Sequence, residues 1–311
     1  MTLPSPDQPL KIGTRGSPLA LAQAYETRDR LMAAHGLPEA AFEVDVIQTT
    51  GDQVQDRALS EIGGKGLFTK EIEEKLADGR IHIAVHSMKD MPTVLPDGLI
   101  IACLLPREDV RDAFVSDRHE TIGDLPQGAT VGSSSLRRRA QLLNRRPDLN
   151  VVEFRGNVQT RLRKLSEGVA EATFLAAAGL RRLGHADLAA RAISTDEMLP
   201  AVAQGAIGIE CREDNAAVRD LLDAIHDRPT ASRLAAERAF LAGLDGSCRT
   251  PIGGLAELDG DVVQFRGEII RPDGSERLTV ARNGAVSDAA AMGSEAAQEL
   301  RGRGGLDFFK I

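Results

Sequence analysis

Short apolar runs alternate with longer segments of helical periodicity along most of this chain, the pattern of an α/β fold. The runs fall at residues 11–14, 43–49, 81–85 and 99–105, then at 129–132, 150–154, 171–176 and 207–211. Run 81–85 carries too little polar alternation for a half-exposed strand, which predicts a strand buried on both faces, as in a parallel sheet. Between the runs, Ser17-Pro18 reads as an N-cap with proline at the first helical position. The helix it opens is predicted to reach about residue 34, with Leu21, Ala24, Tyr25, Arg28 and Met32 along one face and Gly36 closing it. Further helices are predicted over 68–78, from Leu136, through Arg161 and over 215–226.

The pattern changes after residue 226. Thr230 is read as the cap of a helix ending near Leu241, and strands are predicted over 261–270 and 275–281. Between them Arg271-Pro272-Asp273-Gly274 reads as a hairpin turn, and an alanine-rich helix follows Ser287 to about Leu300. A chain of 311 residues exceeds the usual single core, so two or three domains are expected. The proline-marked crossings at Pro106 and Pro200 place the boundaries. The predicted division is one α/β lobe of residues 1–105 plus 200–225, a second of 106–199, and a small α+β domain of 226–311. Two lobes joined by two crossings make a clamshell that closes over a ligand.

Composition narrows the function classes. Hydrophobic residues make up 42% and charged residues 27%, as in ordinary globular proteins. With no Trp and one Tyr, a nucleic-acid binder that stacks bases on aromatics is disfavoured. No apolar run approaches the roughly 20 residues of a membrane span, and the first residues lack the basic and apolar regions of a signal peptide. A cytoplasmic protein is expected, and three cysteines without metal-ligand spacing suit a reducing compartment. Cys103 and Cys211 lie in apolar runs and read as packing thiols, whereas Cys248 lies in a Gly/Ser/Pro loop. That thiol suits a nucleophile or an idle surface group equally; none of the six histidines sits in a base motif that would make it a Cys-His hydrolase.

The net charge of −8 hides one basic sector: from Arg137 to Arg182 there are eleven Lys/Arg against four acids. Arginine or hydroxyl residues recur where a predicted strand meets a helix: Arg15 and Ser17, Ser133 to Arg139, Arg155 to Arg161, and Arg181-Arg182. Ligands of open α/β sheets bind beyond the carboxyl ends of strands, and guanidinium forks match carboxylates and phosphates. Such a set suits a localised polyanion; a solvated basic face is the rival reading. Ser87, Lys89 and Asp90 follow run 81–85 before Pro92 stops the chain, which suits a site or a solvated loop with an incidental ion pair. The polar stretch 50–66, ending in Gly63-Gly64-Lys65-Gly66, is a candidate lid and matches no nucleotide-binding fingerprint.

Several motifs together resemble the porphobilinogen deaminase (hydroxymethylbilane synthase) family. They are Thr14-Arg15-Gly16-Ser17-Pro18-Leu19-Ala20-Leu21, Gly63-Gly64-Lys65-Gly66-Leu67-Phe68 and Ala84-Val85-His86-Ser87-Met88-Lys89-Asp90. Next come Gly132-Ser133-Ser134-Ser135-Leu136-Arg137-Arg138, Arg155-Gly156-Asn157 with Thr160-Arg161, and Leu199-Pro200-Ala201-Val202-Ala203-Gln204-Gly205. Gly246-Ser247-Cys248 with Pro251-Ile252-Gly253 closes the set, which keeps the family order from about residue 11 to 258.

The resemblance implies two lobes resembling type II periplasmic-binding-protein domains plus a small α+β C-terminal domain. It implies a transferase that joins four porphobilinogen molecules head to tail, releasing ammonia each time; a monomer is expected, and composition and spacing give no sign of a metal, nucleic-acid or membrane partner. The chain would grow on a dipyrromethane cofactor held by a thioether to Cys248, with Asp90 as the catalytic residue. Cofactor contacts would fall on Ser87, Lys89, Ser133, Ser135, Arg137, Arg138, Arg155 and Asn157. Substrate contacts would fall on Arg15, Ser17, Arg161, Arg182 and Gln204, with Lys65 and Phe68 on the lid. The acetate and propionate arms make an oligopyrrole a polyanion, which explains clustered arginines. One carboxylate at the pyrrole N–H groups would stabilise the positive charge that follows ammonia loss. This sequence departs from the family at Ser133, where threonine is commoner, at Ala203, where glycine is frequent, and at Ser247 and Arg249 beside the cysteine. A non-catalytic clamshell binder of a small anion would need export, and a nucleic-acid binder sits poorly with the acidic whole.

Overall fold

The computed structural model describes residues 3–53, 69–246, 250–305 and 307–309. In chain order come β1 (Leu10–Arg15), α1 (Pro18–His35), β2 (Phe42–Ile47), α2 (Thr50–Gln53), α3 (Lys70–Ala77), β3 (Ile83–Ser87), β4 (Leu99–Leu104) and β5 (Asp112–Val115). They are followed by β6 (Thr130–Gly132), α4 (Leu136–Arg145), β7 (Asn150–Val152), α5 (Val158–Ser166), β8 (Ala172–Ala176), α6 (Ala177–Arg182) and α7 (Ala186–Ala189). The chain ends with β9 (Ile207–Arg212), α8 (Ala216–Asp223), α9 (Arg228–Gly243), β10 (Ile252–Asp259), β11 (Val262–Ile270), β12 (Arg277–Ala285) and α10 (Ala289–Gly304). The described residues form two compact units, 3–53 with 69–108 and 206–231, and 109–205 with 232–309.

The first unit is built on a sheet of order β2-β1-β3-β9-β4. β1 lies parallel to β2 and β3, while β9 runs antiparallel to β3 and β4. Strand β3 is therefore buried as expected but has only one parallel neighbour. One face packs Ile12, Ile83, Val85, Ile207 and Ile209 against Leu31 of α1 and Leu222 of α8. The other packs Ile47, Ala84 and Leu99 against Ile72 and Leu76 of α3.

Helix α1 starts and ends where predicted, with Ser17 as N-cap and Gly36 at φ +64° closing it. Its buried face differs from the expected one: Gln23, Ala24, Thr27 and Leu31 point inward, and Tyr25 is exposed. Gln23 turns in because its amide bonds the Ser87 hydroxyl, and the Thr27 hydroxyl donates to the Gln23 carbonyl. Tyr25 is covered by the Arg28 guanidinium, 5.0 Å from its ring centroid. Thr230 does not cap α9. Asp227 accepts from the Thr230 N–H at 2.7 Å, and the Thr230 hydroxyl accepts from the Arg107 N–H at 3.1 Å.

The second unit contains a sheet of order β5-β8-β6-β7, in which β6 is parallel to β7 and β8, and β5 is antiparallel to β8. Phe114, Val131 and Phe174 pack one face with Leu142 of α4; Val115 and Leu175 pack the other with Leu165 of α5 and Leu180 of α6. The same unit holds an antiparallel sheet β10-β11-β12, backed by α9 and α10. Only its last two strands were expected. β10 begins Ile252-Gly253-Gly254, and glycines there read as loop. They are required by packing: a Cβ on Gly254 would stand 3.0 Å from the Val202 side chain. One on Gly267 of β11 would stand 2.6 Å from the Phe240 ring. Phe240 itself meets Phe265 edge to face at 5.0 Å. The short strand β5 was also missed, its polar first residue hiding a four-residue run.

Candidate active site

In the first unit the parallel strands β1 and β3 end side by side. At the β1 end stand Arg15 and Ser17, the latter accepting from the Ala20 N–H at 3.3 Å. At the β3 end Ser87 exchanges hydrogen bonds with the Gln23 amide at 2.8 and 3.0 Å. The chain then turns through a single 3-10 turn, Met88–Asp90. Met88 anchors that turn: it is buried, its N–H donates to the Ala206 carbonyl at 3.0 Å, and its sulfur fills the space a Cβ on Gly208 would need. Asp90 is left exposed, and among the described residues its carboxylate has no ion-pair partner. The geometry is a negative group carried on a rigid, sheet-anchored turn.

Beneath this turn lies a polar cluster that sequence reading missed. His86 Nε2 is 3.0 Å from Glu210 Oε2, and both residues are buried. Burial pushes the neighbouring Glu73 carboxyl above the usual range, and the Glu210 charge adds to the rise. A buried histidine between acids looks in sequence like any other position of an apolar strand.

In the second unit β6, β7 and β8 deliver their ends to three helices. Ser135 caps α4 by accepting from the Arg138 N–H at 3.4 Å, and Ser133 accepts from the Ser135 N–H at 3.3 Å. Asn157 caps α5, accepting from the Thr160 N–H at 2.9 Å. The two junctions are fastened together: Ser133 N–H donates to the Val152 carbonyl, and Phe154 N–H to the Ser134 hydroxyl, both at 2.9 Å. Arg161 Nε donates back to the Gly156 carbonyl at 2.9 Å, and Arg182 Nη1 to that of Gly205 at 3.3 Å. Arg155 is half-buried, and its Nη1 is buried without a hydrogen-bond partner. Among the described residues that Nη1 is a buried cationic donor without a partner, on the segment that leads from β7 to the Asn157 cap.

Arg137 and Arg138 were expected on a ligand-facing surface. They are 4% and 5% exposed, and both grip the fully buried carboxylate of Asp112. Burial works against the Asp112 charge, but the two guanidinium groups outweigh it and hold the carboxyl far below the usual range. Burial in turn lowers the Arg137 pKa, with Asp112 opposing. Gln204 joins the same network, donating from Nε2 to Asp112 and to the Val110 carbonyl. Nothing in the sequence marked Asp112, a single acid at the head of a short apolar run.

Lys65, Phe68 and Cys248 lie outside the described residues. The two other cysteines are buried; burial pushes the thiol of Cys103 up to about 12 and that of Cys211 up to about 11. Among the described residues no group of three or more His, Cys, Asp or Glu is placed to hold a metal ion. No described helix is long and apolar enough to cross a membrane.

Family models and full-length relatives agree on one family. The model described as porphobilinogen deaminase, dipyromethane cofactor binding domain, matches residues 10–220, and that of the porphobilinogen deaminase C-terminal domain matches residues 231–302. The porphobilinogen deaminase of Paracoccus denitrificans is 67% identical over 307 residues, covering 99% of this chain and 98% of that one. That of Nitrobacter winogradskyi is 58% identical over 300 residues, covering 96% and 95%. Among solved structures, the BvgS VFT2 domain of Bordetella pertussis aligns with a TM-score of 0.38 at 17% identity, over 74% of this chain and 92% of that one.

Proposed function

The chain belongs to the porphobilinogen deaminase family, and on that premise we propose that it joins four porphobilinogen molecules head to tail into hydroxymethylbilane, releasing ammonia from each. It is a transferase of tetrapyrrole biosynthesis with a dipyrromethane cofactor, anchored in this reading by a thioether to Cys248. The observation that carries the site assignment is the joining of two helix-cap junctions in the second unit, with Arg155 in the segment that leads to the second cap. Ser133, Ser135 and Asn157 stand at adjacent strand ends, and the buried Nη1 of Arg155 has no partner among the described residues. A group with several carboxylate arms fits that donor set, since an orphaned guanidinium N–H gains most from an ionised acceptor.

When bound, the dipyrromethane supplies the pyrrole carbon to which the first substrate is joined. The chain's own residues do the rest. Ser87, Lys89, Ser133, Ser135, Arg155 and Asn157 hold carboxylate arms of the cofactor, with Arg137 and Arg138 contributing positive charge from beneath. Arg15, Ser17, Arg161, Arg182 and Gln204 bind incoming substrate, and Lys65 and Phe68 belong to a lid. Asp90, exposed on its 3-10 turn, holds the pyrrole N–H and stabilises positive charge as it develops on the ring. No histidine base is needed, because the thiol serves as an anchor and is not regenerated each turnover.

In this reading residues 1–105 with 200–225, 106–199, and 226–311 act as two lobes and a small domain carrying the cysteine loop. The protein works as a cytoplasmic monomer without nucleic-acid partners. Intact-mass measurement of the purified protein tests the core of it. A dipyrrole adduct that maps to Cys248 and disappears in Cys248→Ser is expected; an unmodified but active wild type would refute the reading.

A further inference from the structure

We propose that Asp112 is a positioning residue, a buried carboxylate that sets the attitude of Arg137 and Arg138 and, through Gln204, ties them to both ends of the 109–205 segment. The proposal rests on the functional reading above and adds a residue that reading does not contain. Asp112 is fully buried, and each of its oxygens is committed. Oδ2 accepts from Arg137 Nη2 at 2.7 Å, and Oδ1 accepts from Arg138 Nη2 at 2.6 Å and Nε at 3.0 Å. The outer ends of both guanidinium groups are held by main chain: Arg137 Nη1 donates to the Leu199 carbonyl and Arg138 Nη1 to that of Phe174, each at 2.8 Å.

Two cations grip one anion; a second buried carboxylate, Glu268 of β11, also acts on Arg137 but is itself paired with Arg277 at 2.6 Å, so the local balance stays positive. A buried charge without full compensation is costly, and a core of apolar residues would serve stability better. An arrangement kept at that cost is explained when the excess charge faces an anion during function. Arg137 Nε points the same way: it is buried and has no hydrogen-bond partner among the described residues. Asp112 thus neutralises part of the charge and fixes both planes, so that the remaining field has a defined direction.

The fourth contact broadens the role. Gln204 Nε2 donates to Asp112 Oδ1 at 3.0 Å and to the Val110 carbonyl at 2.8 Å. Val110 and Gln204 each lie one residue inside the ends of the 109–205 segment, where the chain enters and leaves the second unit. One carboxylate therefore registers the arginine pair against both passages of the chain.

The test compares wild type, Asp112→Glu, Asp112→Asn and Leu125→Ala, all purified as full-length holoprotein. Asp112→Glu keeps the charge and moves the oxygens; Asp112→Asn keeps the shape and removes the charge. Leu125→Ala, a truncation in the same unit's core, is the control for lost stability alone. The readouts are KM and kcat with porphobilinogen, and the fraction of protein carrying the adduct by intact mass. In both Asp112 variants KM is expected to rise on the order of 10-fold or more, and adduct occupancy to fall, while Leu125→Ala keeps wild-type KM and occupancy. Wild-type KM and occupancy in the folded Asp112 variants would overturn the proposal and leave the functional reading standing. If neither variant folds, the carboxylate is a fold determinant and the positioning role is likewise overturned. A wild type without adduct or porphobilinogen turnover brings down the functional reading, and the proposal with it.

Discussion

Glu237 accepts a 2.7 Å hydrogen bond, through Oε2, from the backbone N–H of Ala203, a residue held at φ +61°. Its other oxygen accepts from the Ala256 N–H at 2.8 Å. One buried carboxylate of α9 therefore pins the segment before β9 to strand β10, and holds an alanine in the left-handed region to do so. Glycine adopts that conformation without the Cβ penalty an alanine meets.

Ala203→Gly is accordingly expected to stabilise the protein. The left-handed conformation costs an alanine roughly 1–2 kcal/mol, and the freer unfolded chain of the glycine variant takes back about 0.4–1 kcal/mol. The difference is a gain of roughly 0.8 kcal/mol, read as a higher urea midpoint at unchanged slope. A lower midpoint would mean that the alanine methyl packs usefully where the strain argument assigns it none.

Removing the charge of Asp90 should abolish most turnover and spare the fold. The side chain is exposed on a turn fixed by Met88, so Asp90→Asn is expected to keep the wild-type Tm. Loss of one preorganised charge at the reacting centre typically costs about 10²-fold or more in kcat. Steady-state rates within a few-fold of wild type would remove Asp90 from the mechanism.

Cysteine reactivity separates the three thiols. Burial keeps Cys103 and Cys211 protonated at neutral pH, with pKa values of about 12 and about 11, and the thiolate is the reactive form. If Cys248 is linked to a cofactor, a thiol-specific reagent should label none of the three in native protein and two after denaturation. A fast-reacting native thiol at position 248 would contradict the thioether.

Glu73 makes part of the stability pH-dependent. Its folded-state pKa is raised, first by burial, so the folded state holds that proton more tightly than the unfolded state. The associated stability is present below the unfolded pKa of about 4.3 and is lost as pH rises through the folded value. Glu73→Gln removes this loss. The Tm advantage of the variant over wild type should therefore be larger at pH 8 than at pH 4, as scanning calorimetry at the two pH values would show. Equal differences at both would place the Glu73 carboxyl in water.

Much of the local structure was legible in the residues themselves. Ser17-Pro18 and Gly36 marked both ends of α1, and the strand runs were found within a few residues, because caps and apolar runs act over short distances along the chain. What failed depended on distant partners. Hydrophobicity alone points Tyr25 inward, yet Gln23 takes the buried position because Ser87, 64 residues away, offers its amide a hydrogen bond. The glycines of β10 read as loop, because only the fold brings Val202 and Phe240 against them. Thr230 read as a cap, but Asp227 three residues earlier performs that function.

The family, the α/β alternation and the recurrence of arginines after strands are properties of residue order, and the sequence by itself determined them. Which arginines meet each other, and over which acid, was decided only in three dimensions. Arg138 is 26 residues from Asp112 along the chain and 2.6 Å away in space. Charge in a sequence has a sign but no dielectric; only folding removes the water that makes the partner of a guanidinium matter.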